Sequence, residues 1–129
     1  MTKLTKFIPL TFTASPRTSA SISIPFRVKT IHIKSAAYDA GTNGTTNYIS
    51  IFSDLVVNNP IAILNQDTTY SSGCIQDIEH QFWNPIDING TFNFWFTNMD
   101  GSVGATSNGG AGTDKVGIII EFNAPDEIF

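Results

Sequence analysis

The chain has 129 residues, enough for one domain that buries a core without disulfides or a structural metal. Charged residues make up only 14% and hydrophobic residues 41%, which excludes a disordered chain and a coiled coil. The formal net charge is −4, and no apolar stretch approaches the ~20 residues of a membrane-spanning helix.

Isoleucine (17), threonine (15) and phenylalanine (10) dominate, while leucine (4), glutamate (3) and arginine (2) are scarce, so the composition favours pleated strands over helices. Taken in chain order, the first strand is expected over residues 7–14, then a polar loop at 15–19. Residues 20–28 alternate, with Ile22, Ile24, Phe26 and Val28 on one face. Ile31 and Ile33 continue the pattern over 29–38, but the apolar parity switches between Val28 and Ile31, which predicts a bulge or break there. Pro25 marks an edge or an irregularity. Strands follow at 48–55, 60–65 and 75–84, separated by polar segments at 40–47 and 66–74 and by the stiffer Asn58-Asn59-Pro60.

Asn84-Pro85 is expected to end the sixth strand. Asn89-Gly90 suggests a two-residue hairpin, but that pairing sets Ile86 and Ile88 opposite Asn93 and Thr91. Parity therefore leaves either an odd-numbered loop with a bulge or a crossing from one sheet to the other over residues 85–90, and the crossing is favoured because Asn84-Pro85 is expected to end the earlier strand. The last strands, 91–97 and 115–123, are the most regular. Phe92, Phe94 and Phe96 alternate in one, and Val116, Ile118, Ile120 and Phe122 in the other. Between them, residues 99–114 hold five of the ten glycines and are expected to form an exposed, mobile loop. Eight strands of this kind predict an all-β, eight-stranded antiparallel β-sandwich, a single jelly-roll domain over residues 1–129. Long polar loops alternate with short stiff ones, so the two kinds are expected at opposite ends. The expected core is Ile22, Ile24, Phe26, Ile31, Ile33, Phe92, Phe94, Phe96, Val116, Ile118, Ile120 and Phe122.

Six of the seven basic residues precede Asp39, the first acid. They form no run, so pairing with acids of the same sheet is expected in place of a nucleic-acid arm. Cys74 is the single cysteine, which excludes an internal disulfide and a cysteine zinc site and suits a reducing cytosol. The N-terminal apolar run is too short for a signal peptide. His32 and His80 sit in strands. Asp77 and Glu79 lie on one strand face, as a solvated pair does, and Cys74 has no histidine near it in sequence. Asp39 to Gly44 begins like a calcium loop but has Gly41 at its third position and Ser50 at its twelfth. No catalytic, cofactor-binding or metal-binding residue is assigned. Trp83 and Trp95 fall out of phase with the apolar alternation around them, and the tail ends in Ile128 and Phe129. These four are the candidate interface residues.

Arg27-Val-Lys-Thr-Ile-His-Ile-Lys-Ser35, Ser53-Asp54-Leu55, Gln66 to Glu79, Ile88-Asn-Gly-Thr-Phe-Asn-Phe94 and Lys115 to Asn123 together give the chain a recognisable texture. It resembles the small single jelly-roll structural proteins of double-stranded DNA viruses of the virophage, Polinton-like and large algal or amoebal virus lineages. The resemblance implies a non-enzymatic minor capsid, penton-like or spike component of a virion, made in the host cytoplasm. It implies partners that are further copies of the chain and other capsid proteins, with no membrane, no specific nucleic acid and no cofactor. The alternative reading is a carbohydrate- or receptor-binding module, such as a fibre head, that uses the tryptophans and polar loops.

Overall fold

Alternating side chains need two faces, one dry and one wet, and the backbone supplies them throughout. The computed structural model describes residues 2–13, 15–39, 48–56, 59–65, 71–72, 78–98, 100–102 and 113–125. Among these, 78% lie in strands and none in a helix, so none forms a helix long and apolar enough to cross a membrane. The strands are β1 (Lys3–Thr13), β2 (Arg17–Ser23), β3 (Val28–Asp39), β4 (Tyr48–Ser53), β5 (Ala62–Asn65), β6 (Ser71–Ser72), β7 (Ile78–Ile86), β8 (Asn89–Asn98) and β9 (Thr113–Asn123).

Two antiparallel sheets result. The first runs β1-β9-β3, with β6 and β7 both paired to the far edge of β3, and the second runs β2-β8-β4-β5. Ser71 and Ser72 pair with Tyr38 and Ala37, and Ile78 to Ile86 pair with Ile33 back to Val28, so β6 and β7 act as one interrupted strand. Counted that way there are eight strands. Apart from the β4–β5 hairpin, each connection passes from one sheet to the other, which is the jelly-roll arrangement.

The expected core is buried except at Phe26 and Phe92, which are half-buried against it. It also takes in Ile8, Leu10 and Phe12 of β1, Ile49 and Ile51 of β4, and Leu64 of β5. Phe12 meets Phe96 edge-on across the sandwich, ring centres 5.0 Å apart at 70°. Two irregularities in β3 keep the right side chains inward. The pairing with β7 shifts between Val28 and Thr30, where the parity switch predicts a bulge, and the pairing with β9 shifts between Ile33 and Ser35. The second shift returns Ala36 and Tyr38 to the core.

Several boundaries differ from expectation. β1 begins at Lys3, and residues 17–19 are not loop but the start of β2, paired with Trp95 to Asn93. β2 is an edge strand with Ile22 its one fully buried residue, and small polar side chains on such a strand read like a loop. Strand 20–28 is not continuous. β2 ends at Ser23, Ile24 N–H donates to the Ile88 carbonyl, and the chain bends at Pro25 and Phe26, which draws the Phe26 ring partly out of the core. Asn84-Pro85 does not stop β7, which runs to Ile86, because an edge strand tolerates a missing N–H on its outer side. The crossing holds: Ile86 pairs with Val28 in the first sheet, and Asn89 with Ser23 in the second. Gly90 takes φ 148° there, a backbone setting that favours glycine.

The pairing registers bring the ends of β1, β3, β5 and β8 to one end of the sandwich, together with the starts of β2, β4, β6 and β9. That is the end to which the polar segments 40–47 and 66–70 and residues 99–112 connect. The first part of the last segment is a built turn. Gly101 N–H donates to the Asn98 carbonyl, Asn98 N–H to the Ser102 carbonyl, and Ser102 N–H and Oγ–H both to Asp100 Oδ1. Asp114 is also not loop. It lies in β9, fully buried, and accepts a short hydrogen bond from the Tyr38 hydroxyl. Residues 99 and 103–112, with the rest of the mobile-loop expectation, lie outside the described residues.

The two bonds from Ser102 hold the Asp100 carboxyl below the ordinary aspartate range. A lowered folded value means that the ionised form supports the turn at neutral pH, and the support is lost as pH falls through that value. In an NMR titration Asp100 should ionise below a free aspartate, and Ser102→Ala should move it upward; an unmoved midpoint would sever the link.

Candidate interaction surfaces

Alternation decides which side chains are left for a partner. In β7, Ile31 and Ile33 pair with His80 and Ile78, which turns Glu79, Gln81 and Trp83 outward. His80 is half-buried and meets Phe82 edge-on at 5.0 Å. Trp83 is 92% exposed, and its carbonyl accepts from Lys29 Nζ at 2.9 Å, so the backbone carrying the indole is tethered to β3. Arg27 similarly donates to the Pro85 carbonyl and approaches Asp87 at 4.0 Å. The basic residues at this end thus engage β7 carbonyls as much as acids, and an ion pair this exposed is worth about 0–1 kcal/mol.

Trp95 also faces outward, on the second sheet. It pairs with Arg17 of β2 and Phe52 of β4, is half-buried, and stacks on Phe52 with ring centres 6.1 Å apart and planes 14° from parallel. Beside it, Asn93 donates its N–H and its side-chain amide to the two carboxylate oxygens of Asp54, which fixes the neighbouring polar surface. The two tryptophans therefore lie on opposite faces of the sandwich and form no common patch. Ile128 and Phe129 lie outside the described residues, as do Cys74 and Asp77.

A third apolar surface is absent from the sequence-based candidates. On the outer face of the first sheet, Phe7 is 62% and Ile119 38% exposed, and the two are paired across β1 and β9. The Phe7 ring lies over Gly117, where a Cβ would come within 2.6 Å of it. A side chain at 117 would push the end of the ring aside. Pro9, Gly117 and Ala37 form the next row, and with Phe7 and Ile119 they border a concavity of about 550 Å³. The phase that marks the tryptophans also marks Phe7 against Ile8, Leu10 and Phe12, and Ile119 against Ile118 and Ile120.

His32 is on this face too, in register between Glu79 and Glu121. Among the described residues no three histidine, cysteine, aspartate or glutamate side chains converge as a metal site would require.

The arrangement defines a jelly-roll β-sandwich with exposed Phe7, Trp83 and Ile119 on the outer face of the first sheet and half-buried, stacked Trp95 and Phe52 on the outer face of the second. No protein-family model matches the chain, and no curated protein sequence matches it. Among solved structures it is similar to the NLP core of Drosophila, described in terms of pentamer formation and histone binding, at TM-score 0.41 and 18% identity over 88% of this chain and 96% of that one. It is similar to the capsid of Helicobacter pylori bacteriophage KHP30, at TM-score 0.38 and 9% identity over 93% and 94% of the two chains. The extra small virus particle of the prawn Macrobrachium rosenbergii gives 0.34 and 6% over 98% and 82%. Likeness at this level leaves function to be read from the chain's own surfaces.

Proposed function

We propose that the chain is a non-enzymatic structural protein of a virion, a minor capsid or penton-like component that works by self-association and by docking to other capsid subunits. The observation that carries this reading is the placement of large apolar side chains on both outer faces of the sandwich. Water does not favour such surfaces unless a partner covers them. Two opposed faces suit a subunit with more than one neighbour. The site of synthesis that follows is the host cytoplasm, and the site of action the virion.

Trp83 and Trp95 are the proposed anchors among the described residues, and Ile128 and Phe129 are further contacts. Trp83→Ser and Trp95→Ser should weaken assembly, each by about 2 kcal/mol or more if the indole is an anchor, while folding changes less. Sedimentation and thermal melting of the same samples separate the two effects. One observation favours the alternative reading: the Trp95–Phe52 stack beside the fixed Asn93–Asp54 pair suits a sugar ring. If both variants assemble normally but lose binding to a glycan or receptor, the fibre-head reading replaces the capsid one.

A further inference from the structure

We infer that the outer face of the first sheet is the docking surface for a second copy of this chain, packed face to face about a two-fold axis that runs along the strands between β9 and β3. The inference rests on the self-association reading and names its face and symmetry. It follows from the rows in which the registers set the exposed residues. From one end of the patch to the other, β9 and β3 present Lys115 beside Asp39, Gly117 beside Ala37, Ile119 beside Ser35, and Glu121 beside His32. The centre is small and largely apolar apart from Ser35 and Lys34, the latter exposed at the β3 bulge, and the rows that pair opposite charges lie at its two ends.

A two-fold axis along the strands exchanges β9 and β3 while keeping each row in place. Lys115 of one copy then lies above Asp39 of the other, and Asp39 above Lys115. Glu121 lies above His32 in the same way, where an imidazole N–H can donate to the carboxylate. Each charged row is thus complementary to its own rotated image, the condition an isologous interface must meet. Stacked sheets sit about 10 Å apart, and the flexible lysine stem spans the small lateral offset that sheet twist introduces. The apolar rows gain as well, because Phe7, which covers Gly117, and Ile119 stand beside the concavity that Pro9 and Ala37 border.

The test uses charge reversal in the full chain, read by sedimentation and by native mass spectrometry of isotopically distinguished samples. Lys115→Glu sets two acids against each other across the axis, and Asp39→Lys two bases. Each variant alone should self-associate at least ~30-fold more weakly than the wild type, the size of an anchor loss. Mixed, they should form a mixed dimer. The carboxylate introduced by Lys115→Glu then meets the ammonium introduced by Asp39→Lys, and the native pair survives on the other side. Lys115 and Asp39 are also cross-strand neighbours within one copy, so each variant carries a like-charge pair in its own sheet, and its melting temperature should fall by only a few degrees. A wild type that is monomeric overturns this inference and the self-association reading together. A wild-type oligomer that both variants reproduce unchanged overturns this inference alone and moves self-association to another face. Variants that dissociate but do not recombine overturn the two-fold arrangement.

Discussion

Phe96→Ala should lower the unfolding free energy by about 3–5 kcal/mol and the melting temperature by roughly 10–20 °C. Phe96 is 1% exposed and comes from β8 of the second sheet, while its edge-on partner Phe12 comes from β1 of the first. Truncation removes the burial of a whole ring, leaves a cavity between the sheets and strips Phe12 of its aromatic contact. Little of that space can close, because both sheets are held at their own spacing by continuous ladders on either side. Trp83→Ser is the internal control. At 92% exposure it should change the stability of the isolated subunit by no more than about 0.5 kcal/mol. A Phe96→Ala protein that melts with the wild type would mean that the sheets do not pack through this ring.

Tyr38→Phe should cost about 1.5–3 kcal/mol, a large effect for a single oxygen. Tyr38 is 1% exposed and its hydroxyl donates to Asp114, which is fully buried. The substitution keeps the ring and its packing, so it creates no cavity. What it removes is one donor to a carboxylate that water cannot reach, and a buried acceptor left short carries its full desolvation cost. The pair also ties the end of β3 to the start of β9, so the effect should appear as faster amide exchange at Val116 and Tyr38. Unchanged stability would show that the hydroxyl is not what satisfies Asp114.

The sequence made some of this architecture legible and concealed the rest, for physical reasons. Phe92-Phe94-Phe96 and Val116-Ile118-Ile120-Phe122 announce their strands because those strands are central, with strong apolar residues on three or four successive inward positions. The crossing within residues 85–90 was legible only in part: parity spoke against a two-residue hairpin, but the choice of a crossing over a bulged loop leaned on Asn84-Pro85 ending the strand, and β7 runs on to Ile86. The start of β2 at residues 17–19 was not legible, because a polar stretch of an edge strand has the composition of a loop. Asn84-Pro85 misled for a related reason: the rule that proline ends a strand presumes a neighbour on both sides, and β7 has one. Asp114 was lost among glycines, since a buried carboxylate is recognisable only once its tyrosine partner, 76 residues away, is in place. Phase identified the tryptophans as outward, but it distinguishes only in from out. Their placement on opposite sheets depends on the order in which the chain visits the two layers. Phe7 and Ile119 carried the same phase signal and were hidden inside otherwise apolar strands.

The central claim, that these outer faces are built to meet other protein, is tested most directly by the mass of the unmodified chain in solution. Sedimentation velocity across the micromolar range should give a discrete homo-oligomer that dissociates on dilution. A single monomeric species at every concentration, with a glycan or receptor binding to the Trp95 face, would contradict it.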